Sequence, residues 1–500
     1  MNIVLISTYE LGRQPFGLVS PAAWLRSRKH AVTCFDLTRQ ALDSAVIAAA
    51  ELIAIYLPMH TATRLAAQLI PGLRAQNPRA HLCCYGLYAP MNAAYLRELG
   101  VQTLLGGEFE SGLANLAGQL SSDSASKEKA AEQTQAHPLI SLERLNFEVP
   151  DRAGLPAIEK YAHLIIPGDG FRVVGSTEAS RGCKHVCRHC PIVPVYNGVF
   201  RIVPRDVVME DIRRQVAAGA QHISFGDPDF FNGIKHALEL VKAFHQEFPT
   251  VSYDVTIKVE HLLEYRQHLV TLRDTGCLFV ISAVESVDDD FLEILDKGHT
   301  RDDFLEVIAA FRSLGMTLHP TFVPFSPWTS MKGFIDLLSV IHEENLIENV
   351  APIQFGIRLL IPAGSRLLDL PETRELIGPF DGHALVFPWK HSDPRMDTLS
   401  VTVQEIAAHA DAQKLSRTVA FSLIWQAAHA AAGIIAPNLD LARESKAVPF
   451  LSEPWYCCAE PTPAQFVAIG GSATLPMASS ATAAKGVPAP RPAISADQFV

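Results

Sequence analysis

Short apolar runs alternate with longer helical-period stretches over the first 118 residues. The runs are "NIVLIS", "AVTCFDL", "LIAIYLP", "HLCCYGL" and "VQTLLGG", separated by "SPAAWLRSR", "SAVIAAA", "ATRLAAQLIPGLRA" and "MNAAYLREL". Strand, helix, strand at this pitch predicts a parallel, doubly wound sheet over residues 1–120. Ligands of such sheets sit beyond the carboxyl ends of the strands. Those ends are polar or Gly-bearing here: Tyr9-Glu10, Pro58-Met59-His60, Tyr85-Gly86 and Gly106-Gly107-Glu108.

Residues 121–170 read as a linker, because Ser121 to Pro138 is polar and without period. A second strand-helix series follows over 171–396. Its strand candidates are "STEAS", "HISFG", "SYDVTIKV", "LFVISAV", "TLHPTFVP" and "IQFGIRLL". Six units at this spacing predict a partial (β/α)6 barrel, whose working face lies at the carboxyl ends of its strands. The fold class is therefore α/β, with two such domains. Residues 397–463 read as a helical C-terminal region in which "TVAFSLIWQAAHAAAGIIA" is apolar all round and expected to be buried. Residues 464–500, mostly Ala, Ser, Pro and Gly, read as a disordered tail.

Composition narrows the class. The 500 residues are 48% hydrophobic and 19% charged, as in a globular protein with a large core, and suggest two or three domains. A net charge of −11 argues against broad binding to nucleic acid or to anionic membranes. "MNIVLIST" runs straight into Glu10 and reads as a first strand, not a signal peptide. No run of about 18 apolar residues occurs, so no membrane span is expected. Nine cysteines without regular spacing argue against a disulfide framework, and a reducing cytoplasm is the expected compartment. Cys34 and Cys277 are expected in the core, with Cys83 and Cys84 on opposite faces of one strand.

The remaining thiols carry chemistry. "RGCKHVCRHCPIVP" places Cys183, Cys187 and Cys190 in a loop just after the first barrel strand. Thiolates at this spacing serve iron-sulfur clusters or zinc, and zinc would recruit His185 or His189 as its fourth ligand. Position favours the cluster, since a structural zinc knuckle has no reason to open a six-unit barrel.

The motif, its place and the six units resemble the radical S-adenosylmethionine (SAM) superfamily. The resemblance implies that Cys183, Cys187 and Cys190 hold three irons of a [4Fe-4S] cluster while SAM chelates the fourth. An electron from a donor such as flavodoxin or ferredoxin then cleaves the sulfonium, giving a 5′-deoxyadenosyl radical. His189 stands where the family usually has an aromatic residue. Within "FGDPDFF", Gly226 through Asp229 resemble the turn that receives the SAM amino group, with Asp227 in place of the usual Glu and Asp229 closing the segment. "SAVESVDDDFLEILDKGHT" resembles the fourth-strand signature, implying that Glu285 and Ser286 contact the ribose or methionine end. Lys258 would pair with the SAM carboxylate. "GIRLLIPAGS", which contains Arg358, matches the adenine-contacting region.

Domain order resembles the B12-binding group within that superfamily. "GLYAPMNAAYLRELGVQTLLGGEFESGLANL" tracks its Gly-rich turn and "GE-x-E" turn, implying Gly86, Gly106, Gly107 and Glu108 beside cobalamin. The Asp-x-His-x-x-Gly loop that supplies an axial His is absent, as "TYELGRQPFG" holds no His. His60 is expected to be a polar strand-end residue and not the cobalt ligand. Finally, "LSEPWYCCAEPTP" resembles a branch named for a CUAEP or CCAEP tail, implying a catalytic part for Cys457 and Cys458 as redox pair, nucleophile or soft-element ligands. The expected protein is a transferase-type radical SAM enzyme acting on a small molecule, by methyl transfer with cobalamin or by radical rearrangement. One alternative is transfer of the aminocarboxypropyl arm of SAM to a soft element such as arsenite. Another is a non-enzymatic metal and cobalamin sensor.

Overall fold

A computed structural model describes residues 1–121, 139–441, 447–453 and 460–469. Nearly all of the polar linker stretch, and both Cys457 and Cys458, lie outside the described residues.

The first sheet contains β1 (Asn2–Ser7), β2 (Ala31–Asp36), β3 (Leu52–Tyr56), β4 (His81–Tyr85) and β5 (Thr103–Gly107). A short β6 (Ile140–Ser141) adds beside β5. All pair in parallel, in the order β2-β1-β3-β4-β5-β6. Both faces are covered, which is why these strands are apolar runs and not alternations. Cys84 packs with Ile6, Ile53 and Leu82 on one face, while Cys34 and Cys83 pack with Leu5, Ala54 and Leu105 on the other. The strand order reverses between β1 and β3, and that switch point opens toward the second domain.

Next come the hairpin of β7 (His163–Ile166) and β8 (Gly170–Thr177), then β9 (Ser180–Gly182) paired antiparallel with β10 (Phe200–Ile202). Beyond β8, the strands β11 (His222–Phe225), β12 (Ser252–Thr256), β13 (Cys277–Glu285) and β14 (Thr317–Phe322) run parallel in a curved sheet. A short β15 (Phe450–Leu451) returns antiparallel onto β7. The sixth expected strand differs. Pro352–Gly356 coil into a 3-10 turn, and Arg358 makes a single parallel bridge to Phe325.

Two further expectations are corrected. The helix Arg417–Ala432 buries Phe421, Ile424 and Trp425 but leaves Val419 46% and Leu423 38% exposed, so it is not enclosed all round. Pro463–Ala468, at the start of the expected disordered tail, form a short helix. Its Phe466 ring enters the core of the first domain, beside Arg64. Among the described residues no helix is long and apolar enough to cross a membrane.

Candidate functional site

The carboxyl ends of the two sheets face each other across a cavity of about 380 Å³. The first domain contributes Glu10, Leu11, Arg13, Tyr56, Met59 and Phe109. The curved sheet contributes the three thiols together with Asp227, Asp229, Lys258, Glu285 and Lys297.

The cysteine loop is held from several sides. The β9–β10 pair closes its base. Asn232 Oδ1 accepts from the Lys184 amide at 3.0 Å, and Arg188 Nη1 donates to the carbonyls of Glu293 and Ile294 at 2.9 Å. Asp227 accepts from the Ala179 amide at 2.9 Å and the Ser180 hydroxyl at 2.6 Å, tying the strand before the loop to the end of β11. Burial lifts the Asp227 carboxyl to about 6 against those hydrogen bonds. Burial likewise pushes the Cys183 thiol up to about 11, and Cys190 is raised by burial and by the neighbouring Cys187.

The donor set fits a cubane cluster better than zinc. Tetrahedral zinc at about 2.3 Å from each sulfur brings thiolates within about 3.8 Å of one another. The three sulfurs form no group closing to within 4.8 Å, whereas another set of ligand atoms nearby does.

Glu285 shows how the fourth-strand signature works. The β13–β14 register shifts between Ala283 and Glu285, and Glu285 takes φ +69°, a strained value for a residue with a Cβ. The kink aims its carboxylate at His189 Nε2, 3.2 Å away, and Lys297 Nζ, 3.5 Å away. Burial alone would raise this carboxyl, but Lys297 and His189 hold it down at about 2. Lys297 is itself buried, and the charges of Glu285, Cys187 and Cys190 raise its pKa. The sequence reading passed over Lys297, although it lies inside the quoted signature.

Glu10 of the first domain and Glu178, just after β8, also line the cavity, both half-buried. Burial, then the charge of Glu178, raises Glu10 to about 8; Glu178 rises to about 7, chiefly by burial.

Several sequence candidates lie elsewhere. Gly107, Gly226, Asp227, Asp229, Lys258 and Glu285 line the cavity with the three thiols, whereas Gly86, Gly106, Glu108, Ser286 and Arg358 do not. Gly86 turns the chain after β4 at φ +108°, where a Cβ would meet the Leu57 carbonyl at 2.9 Å. Gly107 takes φ +73° against the Ser141 carbonyl of β6. Ser286 accepts from the Asp288 amide at 3.1 Å. Arg358 stacks on Trp389 at 3.5 Å and pairs with Asp397 at 2.8 Å. His60 is fully buried, its Nε2 lying 2.9 Å from Glu460.

Glu108 belongs to a junction instead. Arg181, next to the cysteine loop, donates to Glu108 at 3.2 Å, to Glu110 at 2.9 Å and to Glu178 at 2.9 Å. Its guanidinium sits among the rings of Phe16, Phe109 and Phe147. Tyr196 donates to the other oxygen of Glu108 at 3.0 Å. The "GE-x-E" turn of the first domain thus grips both ends of the cysteine loop.

Comparison with known proteins places this geometry. Residues 177–338 match the radical SAM superfamily. Over 153 residues the chain is 26% identical to the hopanoid C-3 methylase of Methylococcus capsulatus, covering 31% of this chain and 29% of that protein. Over 151 residues it is 30% identical to a tRNA-2-methylthio-N(6)-dimethylallyladenosine synthase of Pelodictyon phaeoclathratiforme, covering 28% of this chain and 33% of that one. The matched stretch therefore spans about a third of these curated relatives. Among solved structures, the cobalamin-dependent radical SAM enzyme OxsB with aqua-cobalamin and SAM bound superposes with TM-score 0.58 at 13% identity, covering 82% of this chain and 66% of that one. TsrM of Kitasatospora setae, a radical SAM methyltransferase holding cobalamin and a [4Fe-4S] cluster, gives 0.52 at 16%, covering 69% and 73%. The loop with Cys183, Cys187 and Cys190 and strands β11 to β14 of the curved sheet thus lie in the stretch that matches the radical SAM superfamily.

Proposed function

We propose that this protein is a radical SAM transferase that methylates a small molecule, with cobalamin held between its two domains. The observation that carries the reading is the shared cavity. The switch point of the first sheet and the three thiols open onto the same space. A [4Fe-4S] cluster and SAM would supply the radical chemistry, and cobalamin the methyl relay.

The protein's own residues bind and exclude water. Cys183, Cys187 and Cys190 present three ligands, Lys258 offers a cation for a carboxylate, and Glu285, held ionised by Lys297, offers an acceptor. On the facing wall, Leu11, Pro58, Met59, Leu87 and Tyr88 suit the flat face of a corrin. His60 is occupied by Glu460, so the corrinoid would bind without a lower ligand from that residue. The test is purification with hydroxocobalamin, desalting, then incubation with SAM and a strong reductant. We expect near-stoichiometric corrinoid absorbance and formation of S-adenosylhomocysteine with 5′-deoxyadenosine. Methylthioadenosine as the main product would favour aminocarboxypropyl transfer instead.

Cys457 and Cys458 enter this reading through their flanks. Tyr9 donates to Glu453 at 2.9 Å, and Glu460 pairs with His60 and with Arg64 at 2.8 Å. Both anchors stand at the carboxyl ends of β1 and β3, beside the cavity, and this supports a catalytic part for the thiols between them. Cys457→Ser and Cys458→Ser are expected to leave SAM cleavage within about two-fold while product falls to background, as measured by mass spectrometry. Normal turnover by both variants would remove the thiols from the mechanism.

A further inference from the structure

Three ligand atoms outside the cysteine set converge at the edge of the cavity. His185 lies in the cysteine loop, Asp229 follows β11, and His261 sits on the short helix after β12. One ligand atom from each residue closes with the others to within 4.8 Å. Asp229 Oδ2 is 2.7 Å from His261 Nδ1 and 3.6 Å from His185 Nε2. All three atoms are buried, and none has a hydrogen-bond partner among the described residues. Asp229 is 1% and His261 3% exposed, so water does not satisfy them. The 2.7 Å contact is thus a close approach without hydrogen-bond alignment, and a buried polar atom left this way is costly.

The structure assigns these atoms to a divalent zinc-class metal ion, bound by His185 Nε2, Asp229 Oδ2 and His261 Nδ1 beside the thiols. Two imidazoles and one carboxylate suit zinc or iron(II), whereas magnesium and calcium prefer all-oxygen shells. Tetrahedral binding at about 2.0–2.1 Å separates ligand atoms by about 3.3 Å. The 2.7 Å gap would open by about 0.6 Å and the 3.6 Å gap would close by about 0.3 Å.

Supporting contacts fit that role. Asp229 Oδ1 is already taken, accepting from the Phe231 amide at 3.0 Å, which leaves Oδ2 free. His185 Nδ1 accepts from Lys258 Nζ at 3.2 Å; a metal on Nε2 requires a proton on Nδ1 in place of that bond, and Glu260 Oε2 lies 3.5 Å away to accept it. Lys258 keeps its bond to Glu260 at 2.8 Å in that arrangement. Three protein ligands leave a fourth position on the side where His185 and Asp229 line the cavity. A water or an oxygen of a bound small molecule would complete it, the pattern of catalytic zinc sites. Asp229 then serves this ion and not the SAM amino group.

The test uses the reconstituted full-length protein. One equivalent of Zn²⁺ is added, the sample is desalted, and zinc, iron and acid-labile sulfide are counted. We expect one zinc per chain with iron and sulfide unchanged. Its X-ray absorption should show nitrogen and oxygen neighbours at about 2.0–2.1 Å and no sulfur shell at about 2.3 Å. His261→Gln and Asp229→Asn should each cut zinc retention at least ten-fold while keeping iron. No retained zinc, a sulfur shell, or full retention by both variants overturns the assignment. Should a variant also lose iron, the ligand shell of zinc in the unaltered protein decides alone.

Discussion

Replacing Cys183, Cys187 or Cys190 with alanine should leave anaerobically reconstituted protein nearly colourless, with iron and sulfide near background and SAM cleavage undetectable. Each thiolate would hold one corner of a [4Fe-4S] cluster, and a cubane missing a ligand is labile. The loss should exceed the roughly 10–100-fold that removal of a supporting outer group costs a metal site. Iron, sulfide and 5′-deoxyadenosine assays on the three single variants check it. The expected cofactor fails if any variant cleaves SAM at the unaltered rate. The scaffold should survive the change, because the loop is also fastened by Asn232, Arg188 and Asp227 through bonds that use no sulfur.

Arg181→Met should cost about 3–5 kcal/mol, the range for breaking a buried ion pair from one side. Glu108 and Glu110 are fully buried and would be left facing each other without a cation. Burial already raises the Glu108 carboxyl despite Arg181. Chemical denaturation of the cluster-free protein reads the loss directly. Combining Arg181→Met with Glu108→Gln and Glu110→Gln should recover much of it, since neutral amides remove the stranded charges. A single variant as stable as the parent would show that the junction carries little of the folding energy.

The sequence exposes what is local or periodic. Apolar runs located β1 to β5 and β11 to β14, because strands covered on both faces cannot hide their composition. Cysteine spacing located the loop. What stayed hidden depends on long-range contact. Arg181 and Glu108 each sit in a stretch that reads as cofactor-binding, yet they meet each other, 73 positions apart. Lys297 matters only because the kink at Glu285 brings it there. The apolar helix Arg417–Ala432 looked enclosed since periodicity cannot tell which neighbours exist. The sixth run, Ile353–Leu360, shortens to the parallel bridge of Arg358 with Phe325 just after β14, a contact that periodicity cannot measure.

The pairing of β15 with β7 has a consequence for synthesis. His163 donates its amide to the Ser452 hydroxyl 289 positions later in the chain. At about 5–20 residues per second, a ribosome needs roughly 15–60 s to make that interval. Throughout that time the edge of β7 is bare and the Tyr9 hydroxyl has no Glu453 to meet. That edge closes only once Phe450 and Leu451 have been made, and a chain stopped before them would keep it open.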